Sequence, residues 1–234
     1  MPYRLIETTT DSDFVRTSVD RMKSIITEAI EERGICILGL SGGSTPRPIY
    51  EALGKEPGID WSKVWIFLTD DRYIRADDPK SNQFLLRSTL LKHATVPESQ
   101  IIVPDTSLPI DECIAQYDTW IGDLLKKGTP DLITYGMGDD GHIASLFPPL
   151  AEPHLKACVI HTTTPSTGSG QADRFDVHDR ISVTLPVLKT ANHGLFFLKG
   201  EVKKRVWEEM MASEEDETRW PAKGVLPRST VILG

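Results

Sequence analysis

The sequence predicts an α/β fold, a mainly parallel sheet with helices on both of its faces, on three observations. Short apolar runs alternate along the chain with amphipathic segments, as strands joined by crossover helices do. The runs are continuous rather than alternating apolar and polar, which suits strands buried on both faces. The segments between them carry helix punctuation, with caps and proline early and glycine late.

Taken in order, Thr10-Asp11-Ser12 caps a long helix that runs to about Arg33, where Gly34 stops it. Ile35 to Leu40 is a short apolar strand. Thr45 reads as the N-cap of a helix with Pro46 in its first turn and Gly54 at its far end. Val64 to Thr69 is the next strand, followed by helices over roughly 81–92 and 111–127. Asp131 to Tyr135 reads as a buried strand that ends in the tight turn Gly136-Met137-Gly138. Further strands are expected near 156–162, 180–185 and 194–198. A helix over 201–212 and a last strand at Thr230–Leu233 complete the set. Residues 163–179, rich in Thr, Ser, Gly and Asp, bury little apolar surface and are expected to form a mobile loop. Nothing in the middle reads as a linker, so one domain over 1–234 is expected.

Composition narrows the function. With 39% hydrophobic and 26% charged residues the chain is an ordinary globular one. A net charge of −8 argues against a general binder of nucleic acid or anionic membranes. It leaves room for a small anion held by a local basic cluster. Cys36, Cys113 and Cys158 are odd in number and widely spaced, which reads as reduced structural thiols. No signal-like run follows Met1, and no apolar stretch approaches the ~18 residues of a membrane span. A cytoplasmic protein, monomeric or weakly dimeric, is the expectation. His154, Cys158 and His161 do not alternate onto one strand face, so no metal is expected there.

Three strand ends carry the chemistry. Ser41-Gly42-Gly43-Ser44-Thr45, between a strand and a helix, offers backbone N–H groups, hydroxyls and a helix N-terminus to a phosphate or carboxylate. It lacks the Gly-Lys-Ser/Thr ending of a nucleotide loop, and a tight βα turn would read the same way. Asp70-Asp71-Arg72 ends the second strand, with Arg75, Ser81 and Asn82 beyond. Such arginines can fork onto a phosphate, and the paired carboxylates can orient them or act as a base. The third end, Asp139-Asp140-Gly141-His142, sets the side chain best suited to proton transfer near neutral pH on a glycine turn. Loops converging at one sheet edge are how open α/β sheets bind ligands. Arg180 and Lys203 are later candidates that alone would read as surface charges.

Together these motifs resemble the 6-phosphogluconolactonases. The resemblance rests on Ser41–Pro46, on Asp70-Asp71-Arg72 with Ser81-Asn82, and above all on Gly136 to Pro148. Arg180–Leu185, Gly200 with Lys203, and Pro221-Ala222 add to it. Asp71 stands where the family usually has Glu. The resemblance implies a Rossmann-like parallel sheet with a smaller appended part, a fold shared with glucosamine-6-phosphate deaminases and ribose-5-phosphate isomerases. It implies hydrolysis of 6-phospho-D-glucono-1,5-lactone, in the oxidative pentose phosphate pathway, without cofactor or metal. The catalytic candidates are then His142 as general base, Asp140 to orient it, and Asp70. Ser41, Gly42, Gly43, Ser44, Thr45, Arg72, Asn82, Gly141, Arg180 and Lys203 are the substrate- and phosphate-binding candidates, and amides of the 138–142 turn are candidate oxyanion donors. A deaminase-like isomerase is the alternative, but deaminases carry Phe-Asn-Glu where this chain has Ser145-Leu146-Phe147. A non-catalytic sugar-phosphate-binding module is another.

Overall fold

A computed structural model describes residues 3–150, 156–165 and 176–234. In chain order its elements are β1 (Arg4–Glu7), α1 (Asp11–Arg33), β2 (Cys36–Leu40), α2 (Pro46–Gly54), β3 (Val64–Leu68) and β4 (Asp70–Arg72). Then come α3 (Asn82–Ser88), β5 (Ile101–Ile102), α4 (Ile110–Leu125), β6 (Leu132–Tyr135), β7 (Val159–Thr163) and β8 (Asp179–Val183). The chain closes with α5 (Leu185–Leu188), β9 (His193–Leu198), α6 (Glu201–Ala212), α7 (Pro221–Val225) and β10 (Ser229–Leu233). Among the described residues no helix is long and apolar enough to cross a membrane.

Seven strands form a parallel sheet in the order β1-β10-β9-β6-β2-β3-β5. Successive strand residues divide between its two faces. Cys36, Leu38 and Leu40 of β2, Val64, Ile66 and Leu68 of β3, and Leu195 and Phe197 of β9 pack with α1 and α2. Ile37, Phe67, Ile133, Tyr135, Phe196 and Leu198 face the other way, onto α4, α6 and α7. Burial on both faces explains why these strands are apolar throughout.

The strands near 156–162 and 180–185 leave this sheet. As β7 and β8 they pair antiparallel with each other and with β4 in a separate three-stranded sheet, the smaller appended part. Its apolar residues Val159, Ile181 and Val183 join the same core as Phe67 and Tyr135.

Helix ends with local signals fall where expected. Thr10 caps α1, accepting the Asp13 N–H at 3.1 Å, and Gly34 closes it in the left-handed region at φ 78. Two expectations need correction. Thr45 precedes α2 but is itself helical (φ −61, ψ −45), and its hydroxyl caps nothing. The helix expected over 81–92 stops at Ser88, and only a short 3-10 turn, Leu90–Lys92, follows. Thr89 ends it: its hydroxyl donates back to the Leu85 carbonyl at 2.6 Å, and its backbone leaves helical angles. Only the edges of the loop expected over 163–179 are described. Residues 166–175, and His154 of the weighed metal group, lie outside the described residues.

Candidate active site

In a parallel sheet every strand ends at the same edge. Four neighbours, β9, β6, β2 and β3, therefore set four loops in a row. They deliver Lys203, the His142 turn, the Ser41–Thr45 loop and Asp70–Arg72. Between β2 and β6 the chain reverses its direction across the sheet, and such a switch point opens a crevice. A cleft of about 540 Å³ lies there, and every predicted site residue except Gly141 lines it.

The Ser41–Thr45 loop is anchored from below. Ser41 N–H donates to Thr134 Oγ1 at 2.9 Å, and the buried Tyr50 hydroxyl donates to the Ser41 carbonyl at 2.8 Å. Gly42 is needed for a close approach: a Cβ there would stand 1.8 Å from Asn82 Oδ1. The amides of Gly42, Gly43 and Ser44 donate to no group among the described residues. Three unspent amides beside a helix N-terminus suit an anion.

The third strand end carries a dyad. Asp140 Oδ1 stands 2.6 Å from His142 Nδ1 and also accepts the His142 backbone N–H at 3.1 Å. Burial pushes the Asp140 carboxyl up, but the His142 hydrogen bond and charge outweigh it and bring it down to about 2. An ionised Asp140 holds the proton on Nδ1 and leaves Nε2 as the basic nitrogen. Gly138 makes room for the pair, because a Cβ there would lie 2.1 Å from His142 Nδ1 and 2.7 Å from Asp140 Oδ1. The oxyanion role expected of this turn's amides is reduced. Gly138 N–H donates to the His142 carbonyl, Gly141 N–H to the Gly138 carbonyl, and His142 N–H to Asp140. Gly141, at φ 89, shapes the turn against Trp220 rather than lining the cleft.

The appended sheet supplies the arginines. Arg72 of β4 and Arg180 of β8 are directly paired, and Asp70 is paired with Ser182. Alternation puts Asp70, Arg72, Arg180 and Ser182 on one face and Asp71 on the other. Like charges directly opposite in a sheet are destabilising. Burial, then the Arg72 charge, pushes the Arg180 guanidinium below its ordinary value. A bound anion would relieve that repulsion. Asp71 does not reach the cleft, which corrects the idea that it acts as a base. It is fully buried and accepts from Arg72 N–H (2.7 Å), Asn82 N–H (2.6 Å), Gln83 N–H (3.1 Å) and the Ser81 hydroxyl (3.0 Å). It caps α3 and ties that helix to β4. Burial pushes its carboxyl up to about 6, against the pull of these donors. Arg72 donates to the Lys80 carbonyl and to Asn82 Oδ1 at 3.3 Å, and Asn82 Nδ2 donates to the Asp70 carbonyl at 2.8 Å. Lys203 reaches the cleft but is held by Asp139 at 2.6 Å.

Four contributors were not singled out as site residues from sequence. Phe147 packs on the His142 ring, with centroids 4.7 Å apart. Ser145 donates to Asp70 Oδ2 at 2.7 Å. Thr134 steadies the glycine loop. Arg219 donates to the Asp140 carbonyl at 2.9 Å and lies over the Trp220 ring. Ser145 and Phe147 stand inside the histidine motif, where hydroxyl and ring were the available signals. Arg219 has no local signal. Of the weighed metal candidates, His161 sits on β7 against Asp179 at 2.8 Å, away from the cleft.

Known proteins share this architecture. The family model for glucosamine-6-phosphate isomerases/6-phosphogluconolactonase matches residues 9–233. A probable 6-phosphogluconolactonase of Dictyostelium discoideum is 42% identical over 213 residues, covering 88% of this chain and 86% of that protein. The 6-phosphogluconolactonase of a Synechocystis species is 34% identical over 213 residues, covering 88% and 84%. The crystal structure of 6-phosphogluconolactonase from Thermotoga maritima superposes with a TM-score of 0.85 at 27% identity, covering 99% of each chain.

Proposed function

The chain belongs to the glucosamine-6-phosphate isomerase/6-phosphogluconolactonase family, and on that premise we propose that it hydrolyses 6-phospho-D-glucono-1,5-lactone to 6-phosphogluconate. The observation that carries this reading is the Asp140–His142 dyad, opening on a cleft whose other walls are an amide-lined loop and two facing arginines. A base and an anion anchor in one cleft suit a phosphorylated ester. Phe147 against the imidazole favours the lactonase over the deaminase alternative, because an apolar ring cannot play the part of the Glu that deaminases carry at this place in the motif.

In the proposed mechanism the phosphate sits against the Gly42–Ser44 amides, with Arg72 and Arg180 as its charge partners. Ser41, Thr45, Asn82 and Lys203 complete that wall, and Gly141 shapes the turn opposite. Anchoring the phosphate away from the reacting carbon orients the ring, so that attack is effectively intramolecular. His142 Nε2 takes a proton from water as the oxygen attacks the lactone carbonyl. When the tetrahedral intermediate collapses, the bond from C1 to the ring oxygen breaks, and the imidazolium returns its proton to that oxygen. Asp140 holds the ring and stabilises its charged form. A lactone carbonyl is electrophilic enough for this without a cofactor. Asp70 is the remaining acid of the wall. The reaction is the second step of the oxidative pentose phosphate pathway, placed by this reading in the cytoplasm.

The test is lactone turnover with the spontaneous rate subtracted. Wild type should accelerate hydrolysis, and His142→Ala should lose about 10²–10⁴-fold while remaining folded by circular dichroism. Near-wild-type turnover by that variant would sink the assignment. Ammonia release from glucosamine 6-phosphate by wild type would favour the isomerase reading instead.

A further inference from the structure

Among the described residues three carboxylates line the cleft, and two are committed: Asp139 to Lys203 and Asp140 to His142. Asp70 is the third, and its partner is Ser145. The Ser145 hydroxyl donates to Asp70 Oδ2 at 2.7 Å. Ser145 itself cannot drift. Its N–H donates to Ser182 Oγ at 3.2 Å, its carbonyl accepts from Thr162 Oγ1 at 2.8 Å, and it is only 2% exposed. Thr162 and Ser182 belong to the appended sheet, so that sheet fixes Ser145 and Ser145 fixes Asp70. Among the described residues the other oxygen, Oδ1, has only long contacts, 3.4 Å to Thr69 Oγ1 and 3.4 Å to Asn82 Nδ2. A carboxylate oxygen accepts about two good hydrogen bonds, so Oδ1 keeps acceptor capacity in a cleft where leaving it unfilled is costly.

Resting on the lactone reading, we infer that Ser145 is a positioning residue that turns Asp70 Oδ1 to accept a hydrogen bond from one ring hydroxyl of the substrate. Asp70 then selects for a hydroxylated sugar lactone, while proton transfer stays with His142. The hydroxyls and the amide around Asp70 all donate to it, which suits a fixed acceptor. A site built to accept from a hydroxyl discriminates strongly against the analogue that lacks it.

The experiment compares wild type, Ser145→Ala and Asp70→Asn on 6-phospho-gluconolactone and its 2-, 3- and 4-deoxy analogues. Unfolding midpoints are measured alongside. Wild type should discriminate sharply against one analogue. In both variants KM for the full substrate should rise, roughly tenfold to a hundredfold for Asp70→Asn, the range for losing a hydrogen bond to a charged group. The discrimination against that one analogue should collapse, with kcat nearly kept and its pH profile unmoved. Three results would overturn the inference. One is a fall in kcat with loss of the acidic limb of the profile, which would make Asp70 a proton-transfer group. Another is a lower KM in Asp70→Asn, which would make it a mere counter-charge to the arginines. The third is equal discrimination in variant and wild type. If Ser145→Ala does not fold, Asp70→Asn, which keeps the side-chain shape, decides alone. Wild type that fails to turn over the full lactone overturns the functional reading as well, so the two failures are told apart.

Discussion

At the scale of single residues the site is a set of side chains whose neighbours leave them one orientation. Asp140 makes this measurable. Its carboxyl lies at about 2 in the folded chain against an ordinary 3.8, mainly because the His142 interactions outweigh burial. A depressed acid contributes stability that is present above its unfolded pKa and is lost as pH falls through the folded one. Between pH 4 and pH 2 the wild type should therefore lose more stability than Asp140→Asn, read as urea midpoints along the pH series. The same variant should lose about 10²-fold in kcat, since an amide neither holds the Nδ1 proton as well nor stabilises the imidazolium. Gly138→Ala should cost activity comparably with the dyad residues intact, because its Cβ would occupy the space of the imidazole. Normal turnover by Gly138→Ala would show that the ring can move without harm. His142 and Asp140 were legible in sequence because two residues of chain and one turn set their contact. Arg219, which donates to the Asp140 carbonyl across 79 residues of chain, was not.

At the scale of elements, caps decide where side chains point. The carboxylate of Asp71 gathers four donors at the start of α3, including the amides of Arg72 and Asn82. Asp71→Ala should strand these buried donors and cost about 2–4 kcal/mol in denaturant unfolding. It should also raise KM, since the arginine wall hangs on the same segment. An unchanged KM would separate the cap from the site. Thr10→Ala should cost about 1 kcal/mol without touching KM, because α1 packs on the sheet face away from the appended strands. The bounds of α1 were readable because cap and stop are local. The end of α3 was not, because a threonine hydroxyl turned back on the helix competes with the ladder. β1, four mostly exposed residues, has no apolar pattern and exists only by pairing with β10.

At the scale of the whole molecule, one core spans both sheets: Ile181 and Val183 of the appended sheet pack in the same cluster as Ile133, Tyr135 and Phe196. The chain is therefore expected to unfold as one unit. Ile181→Ala should cost about 2–5 kcal/mol and shift the tryptophan-fluorescence and far-ultraviolet transitions together. Two separated transitions would mean that the appended sheet is independent. The sequence by itself determined the alternating elements, the parallel sheet and the three strand-end motifs, because burial on both faces and local turn chemistry are written in neighbouring residues. Most polar residues that line the cleft stand in those motifs, though Arg180 and Lys203 carry no such signal by themselves. Only the tertiary structure decided that β4, β7 and β8 form their own sheet, and with it which of two adjacent aspartates faces the cleft. That choice follows from antiparallel pairing: the register that sets Arg72 opposite Arg180 turns Asp70 inward and Asp71 toward α3. A register between strands more than a hundred residues apart is not encoded in either strand alone.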